Sequence, residues 1–92
     1  MKNKKINNIR KKLDNLDYKL LILFKKRTHL VNKILETKQF KNQIIDRKRI
    51  KIILKRIKHK SKLNKIDYIV TQRIWKSIIN AYIDYEFRNF KK

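Results

Sequence analysis

The chain has 92 residues, 28 of them Lys or Arg against seven Asp or Glu, for a formal net charge of +21, and it contains no cysteine, glycine or proline. Disulfides and thiolate metal sites are excluded, and His29 and His59 are too few and too far apart in sequence to suggest a zinc site, so packing alone must hold the fold. A single chain this short buries only about 60–65% of the surface its unfolded form exposes, which makes a partner chain an early expectation.

The first element is a long helix expected over about residues 4 to 38–40. Apolar residues recur at Ile6, Ile9, Leu13, Leu16, Leu20 and Leu23 in alternating steps of three and four, the mark of one helix face. The next position in register is Arg27, the stripe resumes at Leu30 and Ile34, and the following step lands on Lys38. At 1.5 Å per residue this helix is about 50 Å long, more than the diameter of a globule of this size.

A polar break at 41–43 precedes Asp46, a suitable N-cap for a second helix whose apolar face is Ile50, Ile53, Leu54 and Ile57 and whose end is expected near residue 59. KHKSKLN, residues 58–64, reads as the next loop, with Asn64 and Asp67 spaced as a capping box for helix 3. That helix carries Ile66, Val70, Ile74, Trp75, Ile78, Ile79 and Tyr82 and is expected to reach about residue 89. With no strand-like alternation and no internal repeat, the chain reads as one all-α domain over 1–92. A first helix too long for the other two to cover points to an antiparallel homodimer with the long helices side by side.

The charge invites a nucleic-acid reading, since clustered cations release counterions from phosphate. Composition offers a simpler account. Lys, Ile and Asn supply 46 of the 92 residues and Ala occurs once, the pattern of AT-rich codons, while Lys outnumbers Arg 21 to 7 and is spread over all solvent faces. Phe24, Trp75 and Tyr82 stand at core-like spacing, whereas a nucleic-acid module would need exposed aromatics beside one cationic face. No apolar run approaches the ~18–20 residues of a membrane span, and the basic start MKNKK is not followed by a signal-type apolar stretch. A cytoplasmic location is expected.

The chemistry-bearing pattern is the set of polar groups on inward faces. Positions 27, 31, 34 and 38 share a helix face, so Arg27 and Lys38 bracket an apolar floor of Val31 and Ile34; Asp46, Arg49 and Ile53 share a face of helix 2, and Trp75, Ile79, Tyr82 and Glu86 one of helix 3. Seven acids cannot pair all these cations, and a buried cation without a partner costs several kcal/mol, so an anionic ligand is the natural missing partner. Cations snorkelling to solvent are the structural alternative.

The run Ile9-Arg10, Leu13-Asp14, Leu16-Asp17, Leu20-Leu21, Leu23-Phe24, Arg27, Leu30, Ile34, Lys38 closely resembles the first helix of the all-helical (type II) chorismate mutases, and the likeness continues through Asp46, Arg49 and RIWKSIINAYIDYE to about residue 87. The resemblance implies an intertwined all-α homodimer with two active sites, each completed by Arg10 of the other chain. It further implies that Arg10 and Arg27 hold the two carboxylates of a dianionic substrate, with Arg49 nearby. Lys38 would hydrogen-bond a carboxylate and the ether oxygen whose bond breaks, and Glu86 would reach the same oxygen. Asp46, Ile50 and Tyr82 fall at further substrate-site positions. No metal or organic cofactor is implied, because chorismate rearranges to prephenate within one molecule. Two residues depart from the usual pattern: Ile50 stands where most such mutases have a glutamate that accepts from the ring hydroxyl, and Tyr82 replaces a common serine. Both resemble the related isochorismate-pyruvate lyases, which form salicylate on the same fold. Moving Arg47-Lys48 into the motif instead would rotate helix 2 by about 200° and throw Ile53, Leu54 and Ile57 off their face. The mutase reading is preferred, with the lyase as alternative.

Overall fold

The computed structural model describes residues 2–92; Met1, the first residue of the expected 1–92 domain, lies outside the described residues. Three α-helices account for most of the chain: α1 (Lys2–Thr37), α2 (Arg47–Leu63) and α3 (Tyr68–Asn89), with a 3-10 turn at Lys41–Gln43 between the first two. The chain divides into two compact units, one ending at Lys33 and the other running Ile34–Lys92.

The first unit is the body of α1. Its apolar stripe is present as a helix face but is not covered: Ile6, Ile9, Leu13, Leu16, Leu20 and Leu23 are all about half exposed or more. Phe24, Arg27, Thr28, Val31 and Asn32 are half-buried. Helix formation here owes much to straight-chain Lys and Leu and to the absence of Gly and Pro, which leaves no internal stop signal.

The second unit holds the last turn of α1, the 3-10 turn and the packed pair α2 and α3. Its buried apolar residues are Leu35, Ile44 and Ile79, and Ile50, Ile53, Leu54 and Ile57 turn a half-buried face from α2. Asp46 caps α2, its Oδ1 accepting from Arg49 N at 3.0 Å. Between α2 and α3 lies a polar contact, Ser61 Oγ to Thr71 Oγ1 at 2.8 Å, with both residues buried. Each hydroxyl supplies the other's hydrogen bond, so neither polar group is orphaned by burial.

Two boundaries differ from expectation. Residues 58–63, expected as loop, are the last turns of α2: they contain no helix breaker, and Ser61 is buried on the helix face rather than solvated. Asn64 does not open α3 in a capping box; it closes α2, its Nδ2 donating to Lys60 O at 2.8 Å. The stop is completed by Lys65 at φ 55°, with Lys65 N donating to Lys62 O and Ile66 N to Ser61 O, the bond pair that ends a helix at a left-handed residue. With no glycine in the chain, a lysine takes that conformation at a steric cost. Asp67 alone caps α3, accepting from Ile69 N at 2.8 Å, so Ile66 lies ahead of the helix. Val70 and Ile74, expected on the inward face, are about half exposed, and the buried residues of α3 are Thr71, Ile79 and Glu86.

Candidate active site

Lys38 lies one residue past the end of α1, held there by its backbone N donating to Leu35 O at 3.1 Å. The carbonyls of that last turn take side-chain donors as well: Thr37 Oγ1 donates to Ile34 O, and Lys92 Nζ to Glu36 O, both at 2.6 Å. Satisfying carbonyls that lack an intrahelical partner anchors the turn from which the Lys38 side chain departs. Its ammonium reaches α3 and donates to Glu86 Oε1 at 2.9 Å, with side-chain exposures of 16% and 10%. Glu86 occupies the same α3 face as buried Ile79, two turns earlier. A charged hydrogen bond at this length compensates both desolvated groups, and neither would be tolerated there alone.

The loop after Lys38 is folded around one side chain. Gln43 Oε1 accepts from both Gln39 N (2.7 Å) and Phe40 N (3.0 Å), which draws the segment 39–43 into a tight arc before α2. Beside it lies an open concavity of about 590 Å³ lined by Thr37, Lys38, Gln43, Ile45, Asp46, Arg47 and Lys48. Of the residues expected at the site, Lys38 and Asp46 line this concavity, and Glu86 is joined to it through Lys38. Arg49 is exposed and is not among the lining residues, while Ile50 and Tyr82 are half-buried, Tyr82 meeting the Tyr85 ring edge-to-face at 6.1 Å. Arg10 is exposed and Arg27 half-buried; both belong to the first unit, whereas the Lys38–Glu86 pair belongs to the second.

Sequence reasoning passed over Gln43, Arg47 and Lys48 as site residues. A glutamine in a polar break has no distinguishing pattern, and Arg47-Lys48 enter the sequence reading only as a shifted register that would throw Ile53, Leu54 and Ile57 off their face. Among the described residues no group of three or more His, Cys, Asp or Glu could hold a metal, and no helix is long and apolar enough to cross a membrane.

Chemically, the second unit offers a dense set of cationic and amide donors and one ammonium locked to a carboxylate, the equipment of a small all-helical protein for an anionic, oxygen-rich ligand. The particular family follows from comparison: the chorismate mutase type II family model matches residues 9–87, and the chain belongs to that family. No curated protein and no solved structure matches the chain.

Proposed function

We propose that the protein is a chorismate mutase, a single-domain enzyme that rearranges chorismate to prephenate for aromatic amino acid biosynthesis. The observation that carries the proposal is the Lys38–Glu86 pair, which sets two hydrogen-bonding groups from sequence-distant elements 2.9 Å apart at a nearly buried point. The reaction is a pericyclic shift in which charge builds on the breaking ether oxygen. Lys38 turns one of its three ammonium protons to that oxygen while the Glu86 carboxylate, accepting another, holds the ammonium in position. Arg27, with Arg10 of a second chain, holds the two carboxylates so that the folded conformer is retained. A millionfold acceleration corresponds to about 8 kcal/mol of barrier, within reach of preorganised cationic donors in a water-poor site.

The two-chain site has its own physical support. Arg10 and Arg27 are 17 residues apart, about 260° around one helix, so they do not face one pocket from the same straight helix. The exposed stripe from Ile6 to Leu23 is the surface a second α1 would cover. At about 1 kcal/mol for completing the burial of each half-exposed Leu or Ile, those six residues contribute on the order of 6 kcal/mol per chain toward assembly.

The lyase reading is favoured by one feature: the apolar Ile50 and the Tyr82 phenol stand where a hydroxyl acceptor and a serine serve most mutases. Isochorismate carries its hydroxyl on a different ring carbon, for which an acceptor at position 50 is unnecessary. Incubating the purified protein with each isomer separately distinguishes the two. Prephenate from chorismate supports the mutase, salicylate plus pyruvate from isochorismate supports the lyase, and turnover of neither refutes both.

A further inference from the structure

The even spread of lysine that composition suggests is not what the folded chain shows. On α2, nine of the twelve exposed residues are Lys or Arg and the helix contains no acid. On α3, packed against it, three of the eleven exposed residues are cationic, and Asp84 and Glu86 accompany them. Codon drift acts along the whole chain, so it does not by itself put six lysines on one helix and one on its neighbour. Nor does the stability of α2 call for them. Arg47, Lys48 and Arg49 stand in its first turn, which holds no acid and where the helix dipole disfavours cations. Lys51 meets both Arg47 and Lys55 at i,i+4, and Lys62 meets Lys58, a spacing at which like charges weaken a helix. Among the described residues the ion pairs are Lys38–Glu86 and Arg88–Asp84, so no α2 cation has a carboxylate against it; Lys58 lies over the Tyr68 ring at 5.7 Å.

A cationic surface held together against its own repulsion is complementary to a polyanion, and its curvature says which kind. At 100° per residue, the core-facing arc of α2, from Ile53 through Ile57 to Leu54, spans about 100°, and the cations cover about 220° of the remainder, from Arg47 on one flank through Lys55 to Lys60 on the other. A bilayer meets one side of such a cylinder, and a helix lying in it needs an apolar face, which α2 already turns to the core. The major groove of duplex DNA, about 12 Å wide, admits a whole helix and sets a phosphate backbone against each flank. We propose that the exposed face of α2 docks in the groove of duplex DNA and binds its phosphates without reading sequence. The outermost line of the helix, Lys48, Ile52, Lys55 and His59, offers no Asn or Gln for adenine and no acid for cytosine, and its lysines are mobile point charges. The forked donors, Arg47, Arg49 and Arg56, stand on the flanks, at the positions of the phosphate walls. With no Phe, Tyr or Trp on α2, stacking on bases has no part in it. This activity goes beyond the proposed rearrangement and does not depend on it.

The test measures fluorescence anisotropy of labelled mixed-sequence duplexes of about 25 base pairs with the intact chain, as salt is raised from about 50 to about 200 mM. One variant carries Lys51→Gln, Lys55→Gln, Arg56→Gln and Lys62→Gln on α2. A control of equal net charge carries Lys11→Gln, Lys19→Gln, Lys25→Gln and Lys26→Gln on α1. If about six cations reach phosphate, the parent should lose about a thousandfold in affinity over that range, a log–log slope of about −5, and the α2 variant should retain a slope of about −2. The α1 control should stay within about one unit of the parent. Both variants should melt at or above the parent temperature, since each removes cations from a helix crowded with them. In a second measurement that needs no variant, duplex added to the ¹⁵N-labelled parent should shift the backbone amides of residues 48–62 and leave those of 73–84 unmoved. Equal loss of slope in the two variants would overturn the assigned surface, as binding by summed charge. So would an absence of binding at the lowest salt, or a strong preference for one duplex sequence. Tighter association with phosphatidylserine–phosphatidylcholine vesicles than with duplex would overturn the groove in favour of a flat anionic surface.

Discussion

Replacing Lys38 by methionine tests the central contact through both stability and rate. The substitution keeps most of the apolar side chain but leaves the Glu86 carboxylate, 10% exposed, without its cation. Breaking a fully buried ion pair costs about 3–5 kcal/mol, and losing a charged hydrogen bond about 1.5–3; the residual solvent access of this pair places the cost at about 2–3 kcal/mol. For a domain of this size that lowers Tm by about 10–20 °C, read by circular dichroism at one fixed protein concentration because an assembling chain melts in a concentration-dependent way. Lys38→Met/Glu86→Met, which removes both charges, should regain most of the loss, since no buried charge is then left unpaired. In the kinetic arm kcat is expected to fall about a thousandfold for both, since the donor proposed for the ether oxygen is gone in each. If the single variant melted within a few degrees of the parent and the double variant were no more stable, the pair would not exist in solution, and the site built on it would fall.

Four further outcomes are expected. Inactive Arg10→Ala and Arg27→Ala chains, when mixed, should regain partial activity in heterodimers; heterodimers that form yet stay inactive would exclude a shared site. Glu86→Ala should lower kcat by more than Glu86→Gln, because an amide keeps a hydrogen-bonding group against Lys38 and a methyl does not; equal kcat for both variants and the parent would make Glu86 a bystander. Leu16→Asp, on the exposed α1 stripe, should shift the chain toward monomer in sedimentation equilibrium and reduce activity in parallel, and a variant that assembles like the parent would place the interface elsewhere. Lys65→Gly should stabilise the protein by about 0.5–1 kcal/mol in urea unfolding, since it relieves a left-handed lysine, and a loss of stability would show that the lysine side chain matters more than its backbone.

How far the sequence reaches depends on how local the signal is. The three helices were legible because period 3.6 and capping chemistry are written within a few residues: the face Ile50, Ile53, Leu54, Ile57 and the N-cap Asp46 can be read without knowing what they touch. The end of α2 was not legible for the same reason. Lys, His and Ser over 58–62 fit a loop and a helix equally, and only the Ser61–Thr71 contact across to α3 decides for helix. Asn64 is ambiguous in kind, since one side chain that favours a helix start also serves a helix stop.

Among candidate site residues, the chain alone singles out Arg27 and Lys38, because a cation on an apolar stripe violates a periodic pattern and so announces itself. Pairing is another matter. That Lys38 meets Glu86, 48 residues away, depends on where α1 ends and on the face that α3 presents, quantities set by packing. That Arg47 and Lys48, rather than Arg49, line the concavity with Lys38 follows from the angle at which α2 leaves its cap, and 100° per residue turns a small difference there into a different set of side chains. The amino-acid order therefore determined which residues are cations on apolar faces and where helices can start, both local properties of a periodic chain. The tertiary structure decided which of those cations has a carboxylate against it and which face an open cavity, since that depends on the spatial meeting of segments whose separation in sequence carries no trace of it.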